Sequence, residues 1–291
     1  ALLRSIGNSM VPLLFLVVST IVNIALDLLF VITFRMGVGG AALATVIAQY
    51  IAGIGIALYT VFKCPIFHIK RIHMRWDSSI LKEISQLSIL TCLQQSVMNF
   101  GILMVQGLVN SFGTAGKAAF AAAVKIDSFA YMLVQDFGNA FSTFTAQNYG
   151  AGEYGRIQEG IKKAILTVTI FCLSISALVC IFARQLMLIF VQPHETEVLA
   201  VGIQYLRVEG SFYIGIGFLF LLYGFYRAVK KPGMSLILTI VSLGTRVALA
   251  YATAGTFGVI GIWLAIPIGW FLADLLGYIY YKKSCKWAVE T

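Results

Sequence analysis

Charge is scarce in this sequence. Of 291 residues only 11% are Asp, Glu, Lys or Arg, against 59% hydrophobic, and the mean hydropathy is +0.89. Soluble domains carry about a quarter charged residues, so an ordinary soluble domain is excluded. Histidine is nearly absent: His68, His73 and His194 stand apart, none beside a ligand partner. No GxSxG, HExxH, GxGxxG or Walker A sequence occurs. No enzyme is expected, and without ATP hydrolysis any pumping draws on an ion gradient. The five cysteines are odd in number and lack CxxC spacing. Cys172 and Cys180 fall eight residues apart on one helix, too far for a disulfide, so all five read as packing residues. The net charge of +9 does not indicate a nucleic-acid partner, because the bases sit in short loops between long apolar runs and not on one face.

Those runs are what the sequence has in abundance. A bilayer core about 30 Å thick takes roughly 20 helical residues to cross. Eight spans of that size are read at 10–34, 38–62, 84–110, 118–146, 161–183, 198–226, 233–254 and 258–281. The expected fold is an all-α, polytopic transmembrane helix bundle. Fifteen of the 21 Lys and Arg fall on one side of these spans, including Arg4, Lys63, Lys163, Lys231 and Lys283. Only Arg35, Lys117 and Arg184 fall on the other. The positive-inside rule then places both termini and the 63–82 loop in the cytoplasm. Trp76, Tyr278, Tyr280, Tyr281 and Trp287 fit an interfacial aromatic belt on that side.

Residues 37–44, GVGGAALA, are repeated as GVIGIWLA at 258–265, with five of eight positions alike. Upstream, Arg4, Ser19 and Ala25-Leu26 align with Arg227, Ser242 and Ala248-Leu249. The last two spans therefore repeat the first two. If spans seven and eight close a six-span unit, spans one and two close an earlier one whose first four spans are absent. The chain also begins with Ala, partway through a motif. The expectation is an N-terminally truncated protein with twelve spans in two pseudo-symmetric six-helix lobes. Residues 1–65 end the N-terminal lobe, 66–82 form a basic inter-lobe loop, and 83–291 form the C-terminal lobe. Parallel repeats of this kind are a transporter signature.

Polar groups inside spans cost several kcal/mol and call for a reason. Asn23 and Asp27 lie four residues apart on one face of span one. Thr45 lies as far after the turn near Met36 as Asp27 lies before it, so the two share a depth. Small residues from Gly37 to Ala44 let the spans approach closely. A carboxyl, a carboxamide, a hydroxyl and the backbone near Ala41 thus surround one point, an oxygen set suited to a hard cation or a proton. The alternative is that Asp27 only bonds Asn23 and locks the hairpin. In the later unit, Arg246, Ala250 and Ile266 replace Asn23, Asp27 and Thr45.

Gln95, Asn99, Gln106 and Asn110 stripe one face of span three, either lining a cavity or bonding across helices. Lys125, Asp127, Arg207 and Glu209 lie at similar depth in spans four and six; two acids and two bases read as a mutually paired cluster, or else as a cavity wall for substrate or a second proton relay. Asp136 lies deeper, near Gln135 and Asn139. Arg246 and Asp274 read as a structural pair. Phe129, Tyr131, Phe137, Phe141 and Phe144 are candidates for an apolar pocket.

RSIGNSMVP at 4–12, NIALD at 23–27, GVGGAALAT at 37–45, QNYGA at 147–151 and YRAVKKPG at 226–233 together resemble the multidrug and toxic compound extrusion (MATE) family of cation-coupled antiporters. The likeness runs through essentially the whole chain. It implies a two-lobed, twelve-helix exporter with a V-shaped central cavity, working by alternating access in the inner (plasma) membrane, a monomer at full length. Uptake of H⁺ or Na⁺, the only coupling ions and with no bound cofactor, drives expulsion of small amphiphilic, cationic compounds. In that picture Asp27 takes the cation, Na⁺ included, Asn23 and Thr45 support it, and Ala41 offers its carbonyl. Substrate-cavity candidates are Gln95, Asn99, Gln106, Lys125, Asp127, Asp136 and Glu209. Two departures stand out: the family's first-helix acid is absent from this chain, and the seventh-helix carboxylate of some members is replaced by Gln94, Gln95 and Asn99. The competing readings are a lipid-linked oligosaccharide flippase of the same superfamily, which wants a cationic cavity, and a non-transporting membrane scaffold.

Overall fold

Long apolar segments in a bilayer must satisfy every backbone group internally, and an α-helix does so within one segment. The computed structural model follows this rule; it describes residues 2–67 and 76–284. Within these, the helices are α1 (Leu2–Ser5), α2 (Met10–Asp27), α3 (Gly37–Lys63), α4 (Ser78–Asn110), α5 (Gly113–Gly150), α6 (Tyr154–Met187), α7 (Thr196–Gly210), α8 (Tyr213–Ala228), α9 (Pro232–Phe257) and α10 (Val259–Ser284). A π-helical turn, Leu28–Thr33, continues α2. Seven helices, plus the bent pair α7–α8, are long and apolar enough to cross a membrane. The protein is a multi-pass membrane protein, and the eight expected spans coincide with these elements. Lys70, Arg71, Arg75, His68, His73, Cys285, Lys286 and Trp287 lie outside the described residues.

One span departs from expectation. Residues 198–226 are not a single helix: α7 and α8 meet at a 52° bend. Gly210-Ser211-Phe212 carries no proline, but Ser211 turns its hydroxyl back onto the Arg207 carbonyl at 2.6 Å, and Phe212 leaves the helical region at φ −114°, ψ 17°. Broken helices at membrane depth expose backbone and polar groups to a cavity, and here the break directly follows Glu209.

The chain divides into two compact units, Ala1–Ser78 and Ser79–Thr291. In the first, α2 packs along α3, fixed by the Ser19 hydroxyl on the Ala48 carbonyl at 3.0 Å. In the second, α5 packs against α6, α7 and α8, and α9 against α10. Hydrophobicity does not drive helices together in lipid, so close approach rests on small residues. A Cβ on Gly224 would lie 2.5 Å from the Gly138 carbonyl oxygen, and one on Gly269 would lie 2.4 Å from the Ser242 carbonyl oxygen. Those two glycine contacts set the α5–α8 and α9–α10 spacings. The core is aromatic: Phe120 stacks on Trp263 at 5.5 Å, and Tyr205 meets the same indole edge-on at 4.7 Å.

The sequence repeat has a structural counterpart. Gly37 and Gly258, equivalent in the repeat, both enter their helices with positive φ, 58° and 59°. Three residues on, Gly40 and Gly261 both sit where a Cβ would collide, with Met36 at 2.9 Å and Thr253 at 2.6 Å respectively. A side chain is strained at the first position and crowded at the second, so each hairpin retains both glycines.

Candidate functional site

In the first unit, Asn23 and Asp27 project from the last turns of α2, and α3 supplies Ala41 and Thr45. The Asn23 amide donates to the Thr45 hydroxyl at 3.3 Å, and that hydroxyl donates to the Ala41 carbonyl at 3.0 Å. Three of the four residues thus form one hydrogen-bonded chain bridging the helices. Asp27 does not bond Asn23: its Oδ1 is buried and without a hydrogen-bond partner. The hairpin is locked by Ser19 instead, leaving the carboxyl uncommitted. Asp27 is also the last α-helical residue before the π-helical turn, a distortion frequent at functional sites. Thr45 opens onto a groove shared with Gln49 and Tyr50.

In the second unit the structure rearranges the expected polar cluster. Asp127 and Glu209 are buried, 4% and 1% exposed, whereas Lys125 and Arg207 are exposed. Lys125 lies over the Phe190 ring at 5.7 Å. The four do not pair, because residues two apart on a helix do not share a face. The acids are held by tyrosines in a crossed arrangement. Tyr205 of α7 donates to Asp127 of α5 at 3.1 Å, and Tyr131 of α5 donates to Glu209 of α7 at 2.8 Å. Both bonds span 78 positions, so the helices run parallel in register. Tyr213, the first residue of α8, donates to the second Asp127 oxygen.

Asp127, Glu209, Tyr131 and Tyr205 line a cavity of about 280 Å³ with Arg246, Gln135 and Met98. Arg246 is 8% exposed and its Nε lacks a partner. It forms no ion pair with Asp274, whose Oδ1 is likewise unpartnered. The two stand in different cavities, Asp274 bordering an apolar one of about 360 Å³ lined by Phe141, Phe218 and Phe225. The expected pair is therefore corrected: α9 turns Arg246 toward the acids.

Other candidates lie elsewhere. Gln95, Asn99, Gln106 and Asn110 form an exposed stripe on α4, outside the second unit's cavities and bonding no other helix; the inward face of α4 presents Gln94, Gly101, Val105 and Val109. Asp136 is exposed, and Asn139 accepts from Arg227 at 3.1 Å. Of the aromatic candidates, Phe141 borders the apolar cavity and Tyr131 the polar one, while Phe129 is exposed. Tyr205 and Tyr213 were not anticipated. The signal for Tyr205 was present, as Asp127–Tyr131 and Tyr205–Glu209 are both acid–tyrosine pairs four residues apart.

A helix bundle with a broken span, buried ionisable groups and paired repeats defines a polytopic membrane protein of transporter type. Comparison with known proteins makes this specific. The MatE family profile matches residues 88–252. A probable multidrug resistance protein of Bacillus subtilis, YpnP, is 30% identical over 98% of this chain and 63% of its own length. An FAD transporter of Shewanella oneidensis is 25% identical over 98% and 64%. A crystallised MATE protein in a bent conformation superposes with a TM-score of 0.88 at 25% identity, over 99% of this chain and 64% of the other. The chain belongs to the MatE family, and it spans a little under two thirds of the length of these relatives.

Proposed function

We propose that the protein containing this chain is a cation-coupled antiporter that exports small amphiphilic or cationic compounds by alternating access. One observation carries the reading: a half-buried carboxyl at Asp27 whose inner oxygen has no hydrogen-bond partner, one helical turn from Asn23 and the Asn23–Thr45–Ala41 chain that spans two helices. A carboxylate with no protein partner in a membrane segment is costly, and a transported cation repays that cost when bound. The donor set suits either H⁺ on Asp27 or Na⁺ shared among Asp27, the Asn23 and Thr45 side-chain oxygens and the Ala41 carbonyl. Binding on two helices at once lets cation occupancy bias their packing, which is how a site drives a conformational equilibrium. The names of the multidrug relatives support the choice of cargo. A flippase for a pyrophosphate-linked lipid is disfavoured, because the cavity of the second unit holds two acids for one base.

Efflux of a fluorescent cationic dye from vesicles, with the protein at its natural length, tests the proposal under a proton gradient and a separate sodium gradient. Gradient-driven efflux abolished by Asp27→Asn, with the variant still folded, is the expected result and identifies the ion. No efflux under either gradient, or efflux unaffected by Asp27→Asn, overturns it.

A further inference from the structure

We propose that the apolar cavity of the second unit is a binding site for a lipophilic organic monocation, with Asp274 as its counter-charge. The site is separate from Asp27 and from the acid–tyrosine cluster, and it does not rest on the proposed export.

Four helices build the cavity. Both α6 and α10 pack on α8, and the space of about 360 Å³ lies in the cleft between them, with Phe141 of α5 completing the wall. Phe141 and Phe225 are buried and Phe218 is half-buried. Ile165 of α6 and Tyr278 of α10 are 44% and 52% exposed, and so form the mouth. The surface flanking that mouth is apolar: Leu166 and Ile170 on α6, and Phe271 and Leu275 on α10, are exposed. Such a surface suits entry from the hydrocarbon, by a ligand with an apolar body.

Small-molecule sites are mostly apolar and aromatic, with a few placed polar groups. Asp274 is the one charged side chain on this lining. Its Oδ1 is buried without a hydrogen-bond partner, and among the described residues it forms no ion pair. An unpaired carboxylate within a membrane span is costly, and a cation seated in the cavity offsets that cost. Depth then decides between kinds of cation. Asp274 stands eight residues before Lys282 on α10, about 12 Å along the helix from the end where Lys282 covers the Tyr278 ring. A phospholipid keeps its ammonium in the headgroup layer, outside the hydrocarbon core. A free amine on an aromatic body reaches deeper, its charge at Asp274 and its ring among Phe218, Phe225 and Tyr278.

Photolabelling of the protein at its natural length, in phosphatidylcholine nanodiscs, tests this. The probe is a diazirine-bearing benzyldimethylamine, and the control is an uncharged benzamide of the same shape. Mass spectrometry is expected to find amine adducts on α6 around Ile165 and on α10 around Tyr278, at least about tenfold above the amide, the worth of one hydrogen bond to a charged group. Asp274→Asn lowers amine labelling to the amide's level. Ile165→Trp narrows the mouth, leaves the carboxyl in place and also lowers it, whereas Asp27→Asn changes nothing. Equal labelling by amine and amide overturns the proposal, as does amine labelling that survives Asp274→Asn, since either assigns the cavity to an uncharged apolar occupant. Labelling abolished when phosphatidylethanolamine replaces phosphatidylcholine overturns it in favour of a lipid. Ile165→Trp labelled as fully as wild type, or no adduct on either helix, overturns it too. Adduct formation does not involve efflux, so its failure is distinguishable from failure of the export reading.

Discussion

Thr45 shows how much a single hydroxyl carries. It accepts from Asn23 and donates to Ala41, so it sets the orientation of the amide and engages the carbonyl that a cation would need. Valine has nearly the same shape and neither function. Thr45→Val is therefore expected to weaken cation affinity about tenfold, the worth of one hydrogen bond to a charged centre, while thermal stability stays close to wild type. The cation-concentration dependence of efflux measures the first and a detergent melting curve the second. An unchanged affinity would remove Thr45 from the site. At this scale the sequence was legible in part for span one: the i, i+4 spacing of Asn23 and Asp27 follows from helix geometry, but Thr45, expected at the depth of Asp27, bonds Asn23 one turn away. Matching charges by number, two acids against two bases, misled at Lys125, Asp127, Arg207 and Glu209. At 3.6 residues per turn, neighbours two apart point to nearly opposite sides, and it is direction that decides partners. Tyr205 and Tyr213 escaped notice because a phenol among many aromatic residues looks like packing until its hydroxyl finds a buried acid.

Between elements, backbone proximity controls what the bundle tolerates. Gly224 lies against the Gly138 carbonyl, a backbone atom that cannot rotate away as a side-chain tip can. Gly224→Ala is expected to force α5 and α8 apart and to cost about 1–3 kcal/mol, read as a fall in the melting temperature of the purified protein. Gly244, also within a helix but with nothing within 4 Å, is the control: Gly244→Ala should leave stability unchanged or raise it by less than about 1 kcal/mol. Equal changes at both positions would show that the close approach at Gly224 does not control the packing. Element boundaries were legible because bilayer thickness sets a helix length and the loops carry the charge. The α7–α8 break was not, since hydropathy runs unbroken through Gly210-Ser211-Phe212 and no proline marks it. Its cause is a side-chain-to-backbone hydrogen bond, which apolar counting does not register. The π-helical turn after Asp27 is a backbone pattern, with the Phe34 N–H on the Leu29 carbonyl, which apolar counting does not register either.

The whole molecule inherits its orientation from charges that lie outside the bundle. Fifteen bases on one side of the spans against three on the other predict cytoplasmic termini, because positively charged loops resist translocation. Helix α5 offers a direct measurement. Its 38 residues extend about 57 Å at 1.5 Å per residue, enough to bring both ends clear of the hydrocarbon core. Thr114 lies at its start and Ala151 caps its end, both exposed. With the five native cysteines replaced by Ser or Ala, a membrane-impermeant maleimide should label Thr114→Cys in intact cells. It should label Ala151→Cys only after permeabilisation. Neither substitution alters the charge bias, so neither perturbs what sets the topology. The opposite pattern would invert the molecule and place the acid–tyrosine cluster, which lies nearer the start of α5, in the cytoplasmic half. Under the expected orientation the cluster sits in the outer half of the membrane, nearer the exterior than the cytoplasm.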